Sequence, residues 1–315
     1  MYCPYFRGKQ FELIVLRDNA EFLSNNGIHP IIEPVKSDFA ALVRAMNPLN
    51  QFNVACTVII NPQAGEEPVI SADIKAKLFE DKIKTFDNIS IGYILHPESD
   101  VRDLIGVLTQ FPERSFTIIH YGYTMGNDLS AALEAFDNIN MHVFIEGYAG
   151  KLYQRHFRKD GVSRILIRDG FTTRRKNAQY PPSEHFSDLH LTYLDESMDG
   201  FGDFQIVGDD YSETGGPAYA VAIHLTYLGV EDDMFIYHFL SDQTDSPTNP
   251  GGKFREALTK LIKEYNRPKS TIFKSKACLE YVDLFTKKHF PGLGSVKKLS
   301  MQHHIELIAA VLKRE

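Results

Sequence analysis

What constrains this chain most is a rhythm. Eight short, largely apolar runs recur at 2–6 (YCPYF), 30–35 (PIIEPV), 54–61 (VACTVIIN), 89–96 (ISIGYILH), 115–121 (SFTIIHY), 141–148 (MHVFIEGY), 163–170 (SRILIRDG) and 203–209 (DFQIVGD). Their starts lie 22 to 40 residues apart. That spacing holds one strand, one helix and two short loops. The intervening segments carry helix signals. Phe11, Ile14, Val15, Phe22 and Leu23 fall at helical spacing within 10–26, and Gly27 stands where a helix-terminating glycine belongs. Ser37, Ser71 and Ser99 each precede an acidic residue and an amphipathic stretch, the pattern of an N-cap. Residues 127–136 and 183–196 also read as helices, and 149–158 as a shorter one.

Nearly continuous apolar strands alternating with amphipathic helices imply a parallel sheet covered by helices. Eight units in this length point to an α/β fold of the (β/α)8 TIM-like barrel type, with an open doubly wound sheet as the competitor. After residue 210 the rhythm changes. AYAVAIHLTYL (218–228) and DMFIYHFLSD (233–242) read as a C-terminal β-hairpin, followed by helices at 252–265, 275–289 and 299–314. The expected organisation is a barrel with its hairpin over 1–242 and a helical extension over 243–315, packed on the barrel as one continuous domain. The loop 242–252 is a long excursion between them.

Composition narrows the partners. With 34 Lys and Arg against 41 Asp and Glu, the chain carries a net charge of -7, which argues against coating nucleic acid through general basicity. A local basic groove stays compatible with that charge. No apolar run approaches the ~20 residues that span a bilayer, and no basic start with an apolar core opens the chain. Cys3, Cys56 and Cys278 are scattered, with neither a disulfide framework nor a zinc spacing. A cytoplasmic, reduced protein is the expectation.

In a barrel of this type chemistry sits at the C-terminal strand ends. Those positions read Arg7 with Lys9, Glu33, Asn61, His96, His120, Glu146, Arg168 with Asp169, and Asp209 with Asp210. Loops are polar anyway, but this set is dominated by side chains that exchange protons, bind metals or hold phosphate. The candidate acid–base groups are Glu33, Glu146, Asp169, His96 and His120. The candidate anion-binding groups are Arg7, Lys9 and Arg168. Arg7 and Lys9 flank Gly8 where the first strand meets the first helix, and helix N-termini attract anions. Arg7 could equally pair with Glu33 or Glu146 and neutralise it. Glu33, Glu146, Asp169 and Asp209 would suit a divalent metal such as Mg, Mn or Zn if the strands bring them together. Which of Asp209 and Asp210 faces inward is open, because adjacent strand residues point to opposite faces.

Other features fit bland and functional readings alike. The basic stretch 168–177 follows the seventh strand, where barrels hold phosphate, or is a solvated loop. Gly215 and Gly216 suit a backbone cradle or a tight turn. His224 and His238 lie on apolar strands, as satisfied core histidines do. His303 and His304 are adjacent on a helix, where a metal pair would be four apart.

RGKQFEL (7–13), IIEPVK (31–36), VIINPQAG (58–65), GDDYSETGGPAYAVAIHLTYL (208–228), GGKFREAL (251–258) and SMQHHIEL (300–307) together resemble the beta-protein family of bacteria and phages. The resemblance spans most of the chain and brings no assigned activity. It implies a neighbouring small protein of nuclease fold, in regions associated with phage defence. The strand-end Arg-Gly is shared with glycerophosphodiester phosphodiesterases, but Phe6 stands where their histidine would be. Two functions are expected. One is a hydrolase acting on a small anionic substrate, a phosphoester or nucleotide. The other is a non-catalytic sensor or regulator of a nuclease, docking through Leu279, Val282 and Phe285.

Overall fold

Strands that must be covered on both faces are built from β-branched and aromatic residues, and the apolar runs of this chain become such strands. The computed structural model describes residues 1–65, 70–212 and 218–314. Eight parallel strands form one sheet in the order β1 (Tyr5–Phe6), β2 (Ile31–Ile32), β3 (Cys56–Ile59), β4 (Ile89–Leu95), β5 (Phe116–His120), β6 (Ile139–Ile145), β7 (Ser163–Ile167) and β9 (Gly200–Gly202). The last strand returns to the first. The Cys3 amide donates to Phe201 O at 2.8 Å, Phe201 N to Met1 O at 3.0 Å and Tyr5 N to Asp203 O at 2.9 Å. The sheet is therefore a (β/α)8 TIM-like barrel. Its helices are α1 (Gln10–Asp18), α2 (Ala20–Asn25), α3 (Ala40–Gln51), α4 (Ser71–Asp73, continuing as a π-helix over Ile74–Lys82), α5 (Val101–Gln110), α6 (Gly126–Leu133) and α7 (Lys151–Gln154).

Two local expectations move. The eighth strand is 200–202 and not 203–209, where a turn runs instead. Segment 183–196 is not one helix: it forms strand β8 (Ser183–Ser187) and the short helix α8 (Leu189–Thr192). Propensity cannot see the free edge that recruits β8, and tertiary pairing overrides it. The serine caps also shift. Asp100, not Ser99, caps α5 by accepting from Arg102 N at 2.8 Å. Asp38 Oδ1, rather than Ser37, meets Ala40 N ahead of α3 at 2.9 Å. Ser71 opens its helix rather than preceding it.

The chain divides into two compact units, 1–168 with 192–203 and 169–191 with 204–315. In the second unit β10 (Ala222–Leu228) and β11 (Met234–Leu240) form the expected hairpin, and β8 joins β11 antiparallel. Helices α9 (Pro250–Tyr265), α10 (Lys276–Lys287) and α11 (Leu293–Leu312) share its core, where Ile223, Leu225, Phe254, Leu261, Tyr281 and Leu299 are buried. The fully buried Lys253 ammonium is held by the carbonyls of Ala218, Tyr219 and Ser246, a clamp on the chain around α9's start. Among the described residues no helix is long and apolar enough to cross a membrane.

Inside the barrel, the Thr57 and Thr117 hydroxyls meet at 2.9 Å across the intervening β4, and His29 Nε2 joins Thr57 Oγ1 at 2.8 Å. A bond spanning a middle strand forms only on the concave side of a curved sheet, so Thr57 and Thr117 mark the inward face. Burial pushes His29 down to about 4 and, in the second unit, His303 likewise to about 4. Each ring is neutral when folded, while the unfolded chain takes up a proton below its ordinary value. Stability is complete above that value and drains as pH falls towards 4. The expected loss at pH 5 is on the order of 2 kcal/mol per histidine. Urea midpoints at pH 7 and pH 5 check this; equal midpoints would contradict it.

Candidate functional site at the strand ends

Alternation along each strand decides which strand-end groups reach the barrel's mouth. With Thr117 inward, Tyr121 shares its face and His120 does not. On β2, Ile31 pairs with Thr57, so Ile31 and Glu33 face inward, as do Tyr5 and Arg7 on β1.

Glu33 is 2% exposed and is the hub of this end. Its Oε2 accepts from Tyr5 Oη at 2.7 Å and from Arg7 Nε at 2.9 Å. Its Oε1 accepts from the backbone amides of Gln63 at 2.6 Å and Ala64 at 2.9 Å. Burial and the Glu33 carboxylate together hold the Tyr5 hydroxyl well above its ordinary value, so it stays a donor. The Arg7 guanidinium lies 5.3 Å from the Tyr5 ring centre, and Arg7 N donates to Glu12 Oε2 at 2.7 Å. Gly8 between the two cations has φ +59°, and a Cβ there would lie 2.9 Å from Glu33 O. The glycine thus serves a left-handed turn and a close backbone approach. Lys9 follows as the N-cap of α1.

His96 extends the same face beyond β4. Its amide donates to Ser99 Oγ at 2.9 Å, while its Nε2 is shut off from solvent without a hydrogen-bond partner among the described residues. Burial lowers its proton affinity, and the Glu33 charge partly opposes that. The His96 ring is 5.0 Å from Tyr121, which stacks on Tyr148 at 4.3 Å. Tyr148 is 52% exposed, so the ladder ends in an open aromatic face. Asn61 is structural: its amide exchanges two hydrogen bonds with the Ile94 backbone, each 2.9 Å long.

Several expected partners are not gathered here. Glu146 and Arg168 form a bidentate pair at 2.7 and 2.8 Å on the partly exposed rim. His120 faces the helix layer outside the barrel, where it is fully buried against Tyr153, His142 and Phe144. Its place at the strand end suggested the mouth; its parity puts it on the other face. Asp169 belongs to the second unit and organises a loop there, accepting from Phe171 N at 2.9 Å and Asp209 N at 2.8 Å. Asp209 and Asp210 lie beyond any strand, so neither has an inward strand face. Glu33 and Glu146 belong to the first unit, Asp169 and Asp209 to the second. Among the described residues no group of three or more His, Cys, Asp or Glu could hold a metal ion, so the expected divalent site has no support among them. In the basic stretch, Arg174 is paired with Glu184 at 2.6 Å. Gly215 and Gly216 lie outside the described residues.

Tyr5, Tyr121, Tyr148 and the amides of 63 and 64 were not among the expected site groups. Counting parity back from the strand interiors would have found the first two.

His224, His238 and His303 of the second unit are packing groups. His224 and His238 meet at 2.6 Å through their Nδ1 atoms, and His238 Nε2 reaches Glu184 Oε1 at 3.1 Å. His303 Nδ1 lies 3.3 Å from Cys278 Sγ, but burial drives the thiol up to about 11 and the imidazole down to about 4. Both are therefore neutral, unlike an activated thiolate–imidazolium pair.

No protein-family model matches the chain, and no curated protein matches it. Among solved structures, the enoyl reductase domain of MlnA from the macrolactin biosynthesis cluster of Bacillus amyloliquefaciens aligns at 7% identity and a TM-score of 0.28, covering 99% of this chain and 81% of that one.

Proposed function

We propose that the barrel mouth binds a small phosphorylated ligand with a planar ring, of the nucleotide class, and that the chain hydrolyses it at a phosphoester bond. The observation that carries this reading is the His96 Nε2 atom, buried with no hydrogen-bond partner among the described residues, between the Arg7–Glu33 pair and an exposed aromatic ladder. Arg7, fixed by Glu33, and Lys9 at the N-terminus of α1 would hold the phosphate. The Tyr121–Tyr148 ladder would take the ring. His96, kept neutral by burial, would take a proton from a water as its oxygen bonds to phosphorus, and return that proton to the ester oxygen as the P–O bond breaks. This scheme uses no metal, and among the described residues no ligand set for one is found.

A second reading rests on a different observation. Glu33 is already paired with Arg7 and Glu146 with Arg168. Charges satisfied by each other suit a site that binds a signal without turning it over, as a regulator of a neighbouring nuclease would. Membership of the beta-protein family would agree with that role.

Calorimetric titration with adenosine 5′-monophosphate, adenosine and inorganic phosphate, run beside a phosphate-release assay, tests both. The nucleotide should bind more tightly than either fragment. Tyr148→Ala removes an exposed ring and should leave the unfolding midpoint unchanged. It should weaken nucleotide binding about tenfold or more, since stacking contributes ~1–3 kcal/mol per base. Phosphate release abolished in His96→Gln with binding retained supports the hydrolase. Binding without release supports the sensor. No binding by any of the three sinks both.

A further inference from the structure

The outer face of the barrel holds a pocket of about 310 Å³, away from the inward-facing groups of the strand ends. Its floor includes His142 and Phe157, and its rim carries His156, Arg158, Lys159 and one carboxylate, Glu134. His142 is only 6% exposed. It ends a series of hydrogen bonds: Tyr153 Oη meets His120 Nδ1 at 2.7 Å, and His120 Nε2 meets His142 Nδ1 at 3.0 Å.

The contacts of that series fit two sets of tautomers, and the one that presents a donor to the pocket starts from the Tyr153 hydroxyl. Tyr153 is a phenol kept protonated by burial, and His120 Nδ1 is the hydrogen-bond partner its hydroxyl has among the described residues. In the tautomer where Tyr153 donates to Nδ1, the neutral His120 proton sits on Nε2 and is donated to His142 Nδ1. Burial keeps both imidazoles neutral, His142 pushed down to about 3 with Arg164 and Lys159 adding to the effect. A neutral His142 that accepts at Nδ1 must carry its proton on Nε2. The two ring nitrogens lie on opposite edges, so with Nδ1 turned to His120 the Nε2–H edge turns to the pocket. A buried donor thus lies beneath the exposed Arg158 and Lys159. Lys159 contacts Asp137 at 3.5 Å, with both groups well exposed, so the pair is weak.

We propose that this pocket binds a small organic anion, a phosphate or carboxylate on an apolar body. Its oxygen accepts from His142 Nε2–H, Arg158 and Lys159 balance its charge, and its body packs on Phe157 and Ile139. The volume lies near the lower end of small-molecule sites. The chemistry favours an anion over a cation because the buried group is a donor and the rim holds two permanent positive charges against one negative.

The test is a titration of the ¹⁵N-histidine-labelled full chain, followed by imidazole ¹H–¹⁵N spectra, with phenyl phosphate and with benzoate as probes. Benzyl alcohol serves as the uncharged control. Saturable movement of the His142 Nε2 signal is expected with at least one anion, at least about tenfold tighter than with benzyl alcohol. The exposed double substitution Arg158→Gln, Lys159→Gln should weaken it about tenfold without moving the unfolding midpoint. Tyr148→Ala should leave it unchanged, which separates this pocket from the strand-end site. An unmoved His142 signal with both anions would overturn the proposal. So would equal affinity in the double variant, or loss of binding in Tyr148→Ala.

Discussion

Glu33→Ala should lower the unfolding free energy by about 3–5 kcal/mol, the range for removing one partner of a buried ion pair. The carboxylate accepts from Tyr5, Arg7 and the amides of Gln63 and Ala64, so its loss takes a shared acceptor from four donors at once. Arg7 is 9% exposed and has little water to turn to. Glu33→Gln should fare little better. Its amide nitrogen must face either the Tyr5–Arg7 side or the two backbone amides, and a donor then meets donors on that side. Urea unfolding of both variants checks this, and a loss below ~1 kcal/mol would mean the network contributes little. The consequence for function is practical. Glu33 variants read folding before they read chemistry, so His96 and Tyr148 are the better probes of the mouth.

Gly202→Ala should be as damaging, at about 3 kcal/mol or more, beyond ordinary overpacking because backbone is involved. A Cβ at Gly202 would be driven into the carbonyl oxygen of Cys3, and one at Gly200 into that of Met1. These are the residues through which the last strand meets the first. Flexible side chains can step aside; a paired backbone carbonyl cannot. The expected result is a lowered thermal midpoint with Phe201 and Tyr2 no longer in register, followed by amide exchange at Cys3 and Phe201, whose hydrogen bonds close the barrel. An unchanged midpoint and unchanged protection at those amides would show that the first and last strands are not so tightly joined.

Much of the barrel was legible in the residues themselves. Apolar β-branched runs at regular intervals leave few alternatives to parallel strands with crossover helices, and seven of the eight runs fall on barrel strands. The eighth failed because Gly200 and Gly202 carry no apolar signal: the strand is chosen by how closely its backbone can approach residues 1–3. Segment 183–187 was misread for a related reason, since only the folded hairpin offers the edge that makes it a strand.

The site was legible in part. Its residue types come from composition at the strand ends, and Arg7, Gly8, Glu33 and His96 stand where the alternation of strands and helices places them. Which of those groups meet is a different matter. A strand end holds two faces, and one residue of parity sends His96 inward and His120 to the helix layer. Whether Glu33 is a free base or a saturated hub depends on amides thirty residues away, which no local pattern encodes. Local periodicity determined the elements and their order; the geometry of a closed sheet decided which charges face each other and which are already satisfied.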